Sequence, residues 1–239
     1  MKHVWIFGAS GVIGRSIVEA FLKNGDYVVA QGFHNTSLLE LFQKKYSKQL
    51  KIVSIDLRSA HQIEKIFQEQ EVVQNCIQVC IHAAGIARSN SFPFLSESQF
   101  DEVIDVNLKS LFHVARFFIQ QKFRPAEGSH FLSFSSIAGL TGVIGKANYA
   151  AGKGAMIGFM KALAHEWQEY KICVNTVLPG WVDSTITQDV DSLVRTQIID
   201  KNLFKSPSDV SQIANWILGF IQMNQVSGQI FNLDSRIYV

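Results

Sequence analysis

Short apolar segments alternate with helix-period segments along the chain, and this alternation restricts the fold more than any other feature. The apolar segments are HVWIFG, YVVAQG, KIVSID, QVCIHAAG, HFLSFSS, ICVNTVLPG and GQIFNLD. Helices are predicted over 13–23, near 36–46, near 60–70, within 96–121 and over a stretch that includes 147–155. Apolar strands joined by helices are typical of parallel sheets that are covered on both faces. We therefore predict an α/β protein built on one doubly wound parallel sheet, with helices on both faces.

The length and the unbroken pattern predict a single domain over residues 1–239. No linker, repeat or low-complexity block interrupts the alternation, and 239 residues are sufficient for a large core. Residues 183–206 form the longest stretch without clear periodicity. A stretch of that length in a compact domain is usually a lid or is disordered, and we predict that it forms a loop over the substrate.

The charge balance argues against a nucleic-acid or membrane partner. The chain has 22 lysines and arginines against 20 aspartates and glutamates, a formal net charge of +2. Neither a strongly basic surface nor a polybasic segment is indicated. The N-terminal sequence has no signal-peptide pattern, and no apolar run approaches the roughly 20 residues that cross a bilayer. We expect a soluble, cytoplasmic protein.

The three cysteines, Cys76, Cys80 and Cys173, predict neither a disulfide framework nor a metal centre. They form no CxxC pair, and reduced, buried thiols fit a cytoplasmic protein. Cys76 and Cys80 beside His82 could be taken for metal ligands. Because Cys80 lies within the apolar run 79–81, a buried strand is the favoured interpretation, and we predict no metal site.

The segment GASGVIG, residues 8–14, follows the first predicted strand and opens the first predicted helix. Gly8, Gly11 and Gly14 permit a tight turn and a close approach of the backbone to a pyrophosphate. The helix N-terminus supplies free N–H groups and the positive end of its dipole. Three glycines can also form an ordinary strand–helix turn, but their position at the first βα turn favours a Rossmann-type dinucleotide site.

The end of the second strand indicates which nicotinamide cofactor is bound. NAD-binding proteins usually place a carboxylate there to hold the ribose 2′-hydroxyl. Positions 31–35 read Gln-Gly-Phe-His-Asn, so a 2′-phosphate would meet no repulsion. NADP (NADPH) is therefore favoured over NAD, with His34 and Asn35 as candidate donors; the alternative is that His34 is a surface loop residue. Asp56, at the end of the third strand, could accept a hydrogen bond from the adenine amino group.

Tyr149 and Lys153 are four residues apart in ANYAAGKGA, so their side chains share one face of a helix. Lowering the pKa of a phenol from ~10 to about 7 requires roughly 4 kcal/mol. One ammonium about 4 Å away supplies that energy at an effective dielectric constant near 20. The pair thus predicts a general acid with a lowered pKa, and the small residues at 150–152 and 154–155 would admit a cofactor ring. Taken alone, the spacing also fits a solvated helix face.

Together these segments resemble the short-chain dehydrogenase/reductase family over essentially the whole chain. The resemblance is carried by GASGVIG at 8–14, HAAG at 82–85, VNL at 106–108, SFSSIAG at 133–139, YAAGK at 149–153 and NTVLPGWVDST at 175–185. It implies that Tyr149 is the catalytic acid, that Ser136 orients the substrate carbonyl and that Lys153 binds ribose and perturbs Tyr149. It further implies that Asn107, on the long fourth helix, holds a proton-relay water.

The same resemblance implies further contacts with the cofactor. The additional positions expected there are Ser10, Ile13, Leu57, Ala84, Gly85, Pro179, Gly180, Val182 and Ser184. Some positions depart from the common family pattern: the middle glycine of the loop comes one residue early, HAAG replaces Asn-Asn-Ala-Gly, and LDSRIYV lacks the usual glycine pair. We expect Ser235 and Arg236 to reshape the C-terminal tail, and none of these departures removes a proton-transfer group.

Within the family, the segments around Tyr149 and 174–187 are most similar to 3-oxoacyl-[acyl-carrier-protein] reductases. This implies NADPH-dependent reduction of a 3-oxoacyl thioester. Apolar residues in or beside the loop favour an acyl substrate: Trp181, Leu193, Val194, Ile198 and Ile199. Basic residues could attract an acidic acyl carrier protein, although a scattered solvated surface explains them as well: Lys122, Arg124 and Lys146. Two alternatives stay open, a reductase of another carbonyl such as a polyketide intermediate, and a cofactor-binding protein without turnover.

The resemblance also implies a homo-oligomer, either a tetramer or a dimer. The family commonly packs its fourth and fifth helices between subunits, and the apolar stripes within 100–119 and 156–167 permit such packing. An ordinary core accounts for these stripes equally well.

Overall fold

A parallel sheet of seven strands forms the centre of the molecule, and the computed structural model describes residues 1–69, 76–120 and 127–236 of the chain. The strands are β1 (His3–Phe7), β2 (Tyr27–Gly32), β3 (Leu50–Ser54), β4 (Val79–His82), β5 (His130–Phe134), β6 (Cys173–Pro179) and β7 (Ile230–Leu233). Their order in the sheet is β3-β2-β1-β4-β5-β6-β7. The predicted doubly wound parallel sheet is confirmed.

Helices cover both faces of the sheet. The described helices are α1 (Val12–Lys23), α2 (Ser37–Lys45), α3 (Ala60–Gln68), α4 (Glu97–Ile104), α5 (Ser110–Gln120), α6 (Ala138–Thr141), α7 (Ala147–Glu166), α8 (Ser192–Asp200) and α9 (Val210–Phe220). On one face α3, α5 and α7 pack against the strands, and on the other face α1, α2 and α9 do so. The helix predicted near 60–70 ends at Gln68, and residue 70 lies outside the described residues.

The alternation of side chains along each strand explains the two cores. In β1, Trp5 and Phe7 point into the core under α3 and α5, whereas Val4 and Ile6 point into the core under α1 and α9. All four are almost fully buried. Burying a large apolar side chain contributes roughly 1.5–3 kcal/mol, so a strand that is apolar on both faces is stable only between two helical layers.

The strand order reverses beside β1, and this reversal creates the place for a site. The chain runs outward from β1 to β2 and β3, then returns to add β4 on the other side of β1. The connections that leave the carboxyl ends of β1 and β4 therefore diverge. Open sheets of this kind bind their ligands in the crevice outside these strand ends.

The long helix predicted within 96–121 is interrupted. Its first part, α4, begins with a capping box: the Gln99 backbone N–H donates to Ser96 Oγ at 3.2 Å and the Ser96 N–H donates to Gln99 Oε1 at 3.2 Å. Between α4 and α5 the backbone widens into a π-type turn over Asp105–Lys109, where the Ser110 N–H donates to the carbonyl of Asp105, five residues earlier. Single wide turns of this type are frequent at functional sites.

The predicted loop at 183–206 contains a helix, α8, which the lack of periodicity concealed. Asp191 caps its N-terminus by accepting from the Leu193 N–H at 2.8 Å. Leu193 and Val194 are 71% and 44% exposed, so α8 presents apolar side chains to solvent and lacks an amphipathic pattern. Helix α9 (Val210–Phe220), which follows this segment, was also not predicted from the sequence.

No helix among the described residues combines the length and the apolar character needed to span a membrane. Within the same residues, no three His, Cys, Asp or Glu side chains come together as a possible metal site. Lys122 and Arg124, which we considered as carrier-protein contacts, lie outside the described residues.

Candidate active site

A cleft of about 470 Å³ opens at the carboxyl ends of β1, β2, β3 and β4. Most of the residues that the sequence assigned to the cofactor line it: Gly8, Ser10, Gly11, Ile13, Gly14, His34, Asp56, Leu57, Ala84, Gly85 and Ser184. Other lining residues were not predicted: Val12, Gln31, Phe33, Arg58, Ala83, Ile86, Arg88, Glu102, Val106, Thr185 and Ile186. The remaining predicted contacts lie outside the lining: Asn35, Tyr149, Lys153, Pro179, Gly180 and Val182.

The glycine loop has the form of a cradle for a pyrophosphate. Gly8 has φ +78°, and a Cβ atom there would lie 2.4 Å from the backbone nitrogen of Ala84. A Cβ atom at Gly14 would lie 2.2 Å from the carbonyl oxygen of Gly8. Helix α1 starts at Val12 without a side-chain cap, so its first N–H groups remain available to an anion. These features fit the diphosphate of a dinucleotide.

Gln31 holds this loop in place, although sequence reasoning gave it no role. The Gly8 N–H donates to Gln31 Oε1 at 2.8 Å, and Gln31 Nε2 donates to the Ile55 carbonyl at 2.8 Å. Its side chain thus links the loop after β1 to the segment after β3. No local sequence pattern predicts these two hydrogen bonds, because the partners of Gln31 are 23 and 24 residues away.

The outer end of the cleft contains two basic side chains. His34 lies in the lining with its ring centroid 4.1 Å from that of Phe33. Arg58 also lies there and pairs with Asp56 at 2.6 Å, which lowers the pKa of the Asp56 carboxyl. Asn35 is not in the lining, since it has φ +55° and its Oδ1 accepts from Ser37. The structure thus places His34, but not Asn35, in the lining of the cleft.

The four residues that the resemblance assigned to catalysis converge beside Gly85. A hydrogen bond joins Tyr149 to the Ser136 side chain, and Lys153 Nζ lies 5.8 Å from the centroid of the Tyr149 ring. A Cβ atom at Gly85 would lie 3.2 Å from Lys153 Nζ and 3.4 Å from Asn107 Oδ1. Gly85 lines the cleft, so Lys153 and Asn107 adjoin the cleft there, and Tyr149 and Ser136 lie next to them.

Lys153 and Asn107 are both held by backbone groups. Lys153 is 4% exposed, and its Nζ donates to the Phe134 carbonyl at 2.6 Å. Asn107 Oδ1 accepts from the Ile86 N–H at 2.8 Å, and its Nδ2 donates to the Ile86 carbonyl at 3.0 Å. Asn107 therefore fixes the segment after β4, whose residues line the cleft.

The pKa of Tyr149 differs from the sequence prediction. Burial raises the pKa of the Tyr149 phenol, and the hydrogen bond with Ser136 opposes this to a lesser extent. Burial lowers the pKa of Lys153 to about 8. The raised pKa is opposite to the lowered pKa that the sequence predicts; the Lys153 ammonium donates to the Phe134 carbonyl and lies 5.8 Å from the centroid of the Tyr149 ring.

Two of the small residues near Tyr149, Gly152 and Gly154, contact neighbouring elements. A Cβ atom at Gly152 would lie in ordinary contact with Ile104 at 3.6 Å and Asn107 at 3.7 Å, so Gly152 faces α4 and the wide turn. A Cβ atom at Gly154 would lie 3.0 Å from the Gly139 carbonyl oxygen. Ala151 and Ala155 are exposed.

His82 supports the wide turn that carries Asn107. Its Nε2 lies 2.7 Å from Ser110 Oγ, and the Ser110 hydroxyl donates to the Val106 carbonyl at 2.5 Å. The single hydroxyl proton of Ser110 is used in the hydrogen bond to Val106. The hydrogen bond between His82 and Ser110 therefore uses a proton on His82 Nε2. His82 is fully buried, and burial, followed by the Lys153 ammonium, lowers its pKa to about 3.

The buried histidines predict a loss of stability in acid. Burial also lowers the pKa of His130, to about 4, whereas both histidines bind a proton near pH 6.5 in the unfolded chain. The unfolded state therefore gains protons first, and stability falls as the pH decreases from about 6.5 toward 4. At ~1.4 kcal/mol per pH unit and proton, each histidine costs on the order of 3 kcal/mol at pH 4.

Urea unfolding at pH 7 and pH 4.5 tests this expectation. His130→Gln should lose clearly less free energy of unfolding between the two pH values than the wild type. His61→Gln, at an exposed histidine, is the control and should leave that difference unchanged. Equal losses for wild type and His130→Gln would contradict the assignment.

Of the cofactor contacts predicted at and after the end of β6, only Ser184 lines the cleft. Val182 belongs to the core, and a Cβ atom at Gly180 would lie 2.1 Å from Ser208 Oγ, so neither faces the cleft. Pro179 ends β6. In the tail, Arg236 Nε donates to Asp234 Oδ2 at 2.6 Å. This ion pair joins the side chains of the two residues that flank Ser235.

The expected substrate loop is held by its own ion pair. Asp183 accepts from Arg195 Nε at 3.0 Å and Nη2 at 2.7 Å, and Trp181 Nε1 donates to it at 2.9 Å. The start of the loop is thereby tied to α8. Of the apolar residues named for it, Ile199 is buried, Trp181 and Ile198 are half-buried, and Leu193 and Val194 are exposed.

The fold and this site define a dinucleotide-dependent enzyme of the Rossmann type. Residues 2–194 match the short chain dehydrogenase family, so the chain belongs to that family. It is an NAD(P)-dependent oxidoreductase.

Particular relatives narrow the comparison. A 3-oxoacyl-[acyl-carrier-protein] reductase, FabG of Rickettsia conorii, is 30% identical over 236 residues, which are 98% of this chain and 95% of that protein. An acetoacetyl-CoA reductase of Acinetobacter sp. is 30% identical over 246 residues, 100% of this chain and 98% of that protein. Nodulation protein G of Rhizobium meliloti is 30% identical over 200 residues, 83% of this chain and 80% of that protein.

Solved structures agree on the fold. A short-chain dehydrogenase/reductase from Brucella melitensis superimposes with a TM-score of 0.90 at 24% identity, covering 100% of this chain and 97% of that one. The structure of BdcA in complex with NADPH gives a TM-score of 0.87 at 20% identity, covering 100% and 96%.

Proposed function

We propose that the protein reduces a ketone to a secondary alcohol with NADPH, and that the ketone is a 3-oxoacyl thioester on acyl carrier protein. The observation that carries the proposal is the convergence of Ser136, Tyr149, Lys153 and Asn107 beside Gly85, which lines the cleft. The names of the relatives from Rickettsia conorii and Acinetobacter sp. support a thioester substrate.

The nicotinamide ring, when bound, supplies the hydride. The hydroxyl groups of Ser136 and Tyr149 both donate to the ketone oxygen, where negative charge develops during reduction. Tyr149 then transfers its proton to this oxygen. Because an alkoxide is a far stronger base than a phenolate, a phenol with a raised pKa still acts as the acid, and the same raised pKa disfavours the reverse oxidation.

Lys153 and Asn107 complete the path of the proton. At neutral pH a lysine with a pKa of about 8 is mostly charged, yet it releases a proton more readily than an ordinary lysine. We place it as the donor that restores the Tyr149 proton, with Asn107 at the wide turn holding a relay water. Its contact with the Phe134 carbonyl keeps its ammonium beside Gly85.

The preference for NADPH over NADH has three supports. No carboxylate ends β2, where an acidic side chain would repel a 2′-phosphate. His34 and Arg58 lie in the lining at that end of the cleft, and an arginine can bind a phosphate through two parallel hydrogen bonds. The related structure of BdcA contains NADPH.

We also propose that the enzyme is a homo-oligomer. Phe112 on α5 is 43% exposed, and its ring contacts the half-buried Phe159 of α7 edge-on at 6.4 Å. Ala151 and Ala155 leave the outer face of α7 flat. A flat surface with exposed aromatic rings supports packing of these two helices against a second copy.

Initial rates with a panel of substrates test the function. Acetoacetyl-acyl carrier protein, acetoacetyl-CoA, a simple ketone and a reducing sugar are each offered with NADPH and with NADH. We expect kcat/KM to be at least about 10-fold higher with NADPH than with NADH, and at least about 10-fold higher with the thioesters than with the simple ketone or the sugar. Each of these preferences corresponds to one charged or hydrogen-bonded contact. Failure to reduce any ketone with either cofactor would contradict the proposal.

A further inference from the structure

Lys146 places a second ammonium beside the catalytic tyrosine. It precedes the first residue of α7, and its Nζ lies 5.9 Å from the centroid of the Tyr149 ring. Lys153 Nζ lies at a nearly equal distance, 5.8 Å. The two differ in their surroundings, because Lys153 is buried and bonded to a carbonyl whereas Lys146 is only partly buried.

Lys146 is not part of the scattered, solvated surface that the sequence left open as an interpretation. Burial lowers the pKa of its ammonium, and the charge of Asp189 in the substrate loop opposes this to a lesser extent. Among the described residues, no carboxylate lies within 4.0 Å of its Nζ. A cation that is partly withdrawn from water without a paired anion indicates a place for a ligand oxygen.

The surface beside Lys146 is apolar. Its backbone N–H donates to the Val143 carbonyl at 3.1 Å, and in that turn Val143 is 47% exposed and Ile144 fully exposed. The Asn90 N–H donates to the Gly145 carbonyl at 2.9 Å and brings the exposed segment Phe92–Phe94 to the same turn. A cation next to exposed apolar side chains suits a ligand with a polar head and an acyl tail.

We propose that Lys146 is a specificity-determining residue that binds an oxygen on the carbon two bonds from the ketone carbon, so that the enzyme selects 1,3-dicarbonyl substrates. This inference rests on the proposed function. With the ketone oxygen at Ser136 and Tyr149, the second oxygen accepts from Lys146 and the acyl tail lies along Val143 and Ile144. The second oxygen can belong to a thioester or to a free carboxylate, and both accept a hydrogen bond from an ammonium.

Three substrates and three variants test the proposal. The substrates are the N-acetylcysteamine thioester of acetoacetate, free acetoacetate and a simple methyl ketone of similar length. The variants are Lys146→Met, Lys146→Gln and, as a matched control on the exposed face of α7, Lys161→Met. The readout is the ratio of kcat/KM for each 1,3-dicarbonyl compound to kcat/KM for the simple ketone.

We expect Lys146→Met to lower this ratio about 10- to 100-fold, as for the loss of a hydrogen bond to a charged group, and Lys161→Met to leave it unchanged. Lys146→Gln should restore part of the ratio for the thioester, because its amide still donates, and less for acetoacetate, which requires the charge. The wild-type enzyme's preference between these two compounds identifies which source supplies the oxygen.

Two different results would overturn the proposal, and they distinguish a failure of this inference alone from a failure of the proposed function. If Lys146→Met and Lys146→Gln slow all three substrates equally and shift the pH profile of kcat, Lys146 acts only on Tyr149 through its charge, and the proposed reduction stands. If the wild-type enzyme reduces none of the three ketones, the proposed function fails together with this inference.

Discussion

Replacing Tyr149 with phenylalanine is expected to lower kcat for ketone reduction by about 10²- to 10⁴-fold, the range typical of removing a general acid. The ring of the variant would still fill its place beside Ser136, since only the hydroxyl is lost. The residues that line the cofactor cleft do not include Tyr149, so the dissociation constant for NADPH should change little.

The raised pKa of Tyr149 adds a second expectation. In the wild-type enzyme the phenol stays protonated up to and beyond about pH 10, where a free phenol ionises, so ionisation of Tyr149 itself should not limit reduction below that pH. Oxidation of the alcohol requires the phenolate and should increase with pH toward the raised pKa. Rates in both directions between pH 6 and pH 10 measure this difference.

Stopped-flow rates and a fluorescence titration with NADPH separate chemistry from binding in the Tyr149→Phe variant. Tyr46→Phe is the matched control, because Tyr46 follows α2 and is remote in sequence from the catalytic residues. It should retain wild-type rates. A Tyr149→Phe enzyme that reduces ketones as fast as the wild type would show that this site does not catalyse the reaction, and would favour a cofactor-binding protein.

The strands and the glycine loop could be predicted from the sequence because each leaves a local pattern. An apolar run marks a strand that is buried on both faces, and three glycines after such a run mark a phosphate cradle. The catalytic tetrad was found by resemblance, and its convergence beside Gly85 follows from strands that end at one edge of the sheet.

Other parts of the site depend on contacts between distant residues and leave no local signal. Gln31 binds Gly8 and Ile55 across neighbouring strands, and the wide turn at Asp105–Lys109 needs Ser110 and His82 to hold it. The pKa of Tyr149 depends on where Lys153 Nζ points, which spacing on a helix does not determine. The position of Lys146 beside Tyr149 became apparent only with the side chains in place.

Arg58 illustrates an intermediate case. Arg58 comes two residues after Asp56, which the sequence predicts as a possible adenine contact. The same position at the end of the third strand could have predicted that Arg58 also lies near the cleft. The predicted donors for a 2′-phosphate, His34 and Asn35, both follow β2. The structure shows that the segment after β3 contributes a basic side chain to the same end of the cleft.

Substitution of Gly8 by alanine is expected to destabilise the fold by about 3 kcal/mol or more and to abolish NADPH binding. The left-handed conformation alone costs an L-residue roughly 1–2 kcal/mol. The new Cβ atom would also lie 2.4 Å from the Ala84 nitrogen and 2.8 Å from the Ala83 carbonyl carbon. Both are backbone atoms that cannot move aside, so the loop itself must shift, and the pyrophosphate cradle shifts with it.

Two further glycines separate the causes of this effect. Gly25 has φ +86° but no atom within 4 Å of the added Cβ, so Gly25→Ala should cost only the roughly 1–2 kcal/mol of the conformation and leave NADPH binding intact. Gly158, inside α7, has open space and no positive φ, so Gly158→Ala should stabilise the protein by about 0.5–1 kcal/mol. Urea unfolding and an NADPH titration on all three variants measure these differences. If Gly8→Ala cost no more than Gly25→Ala and still bound NADPH, the close approach of β1 to the segment after β4 would not be what shapes the cofactor site.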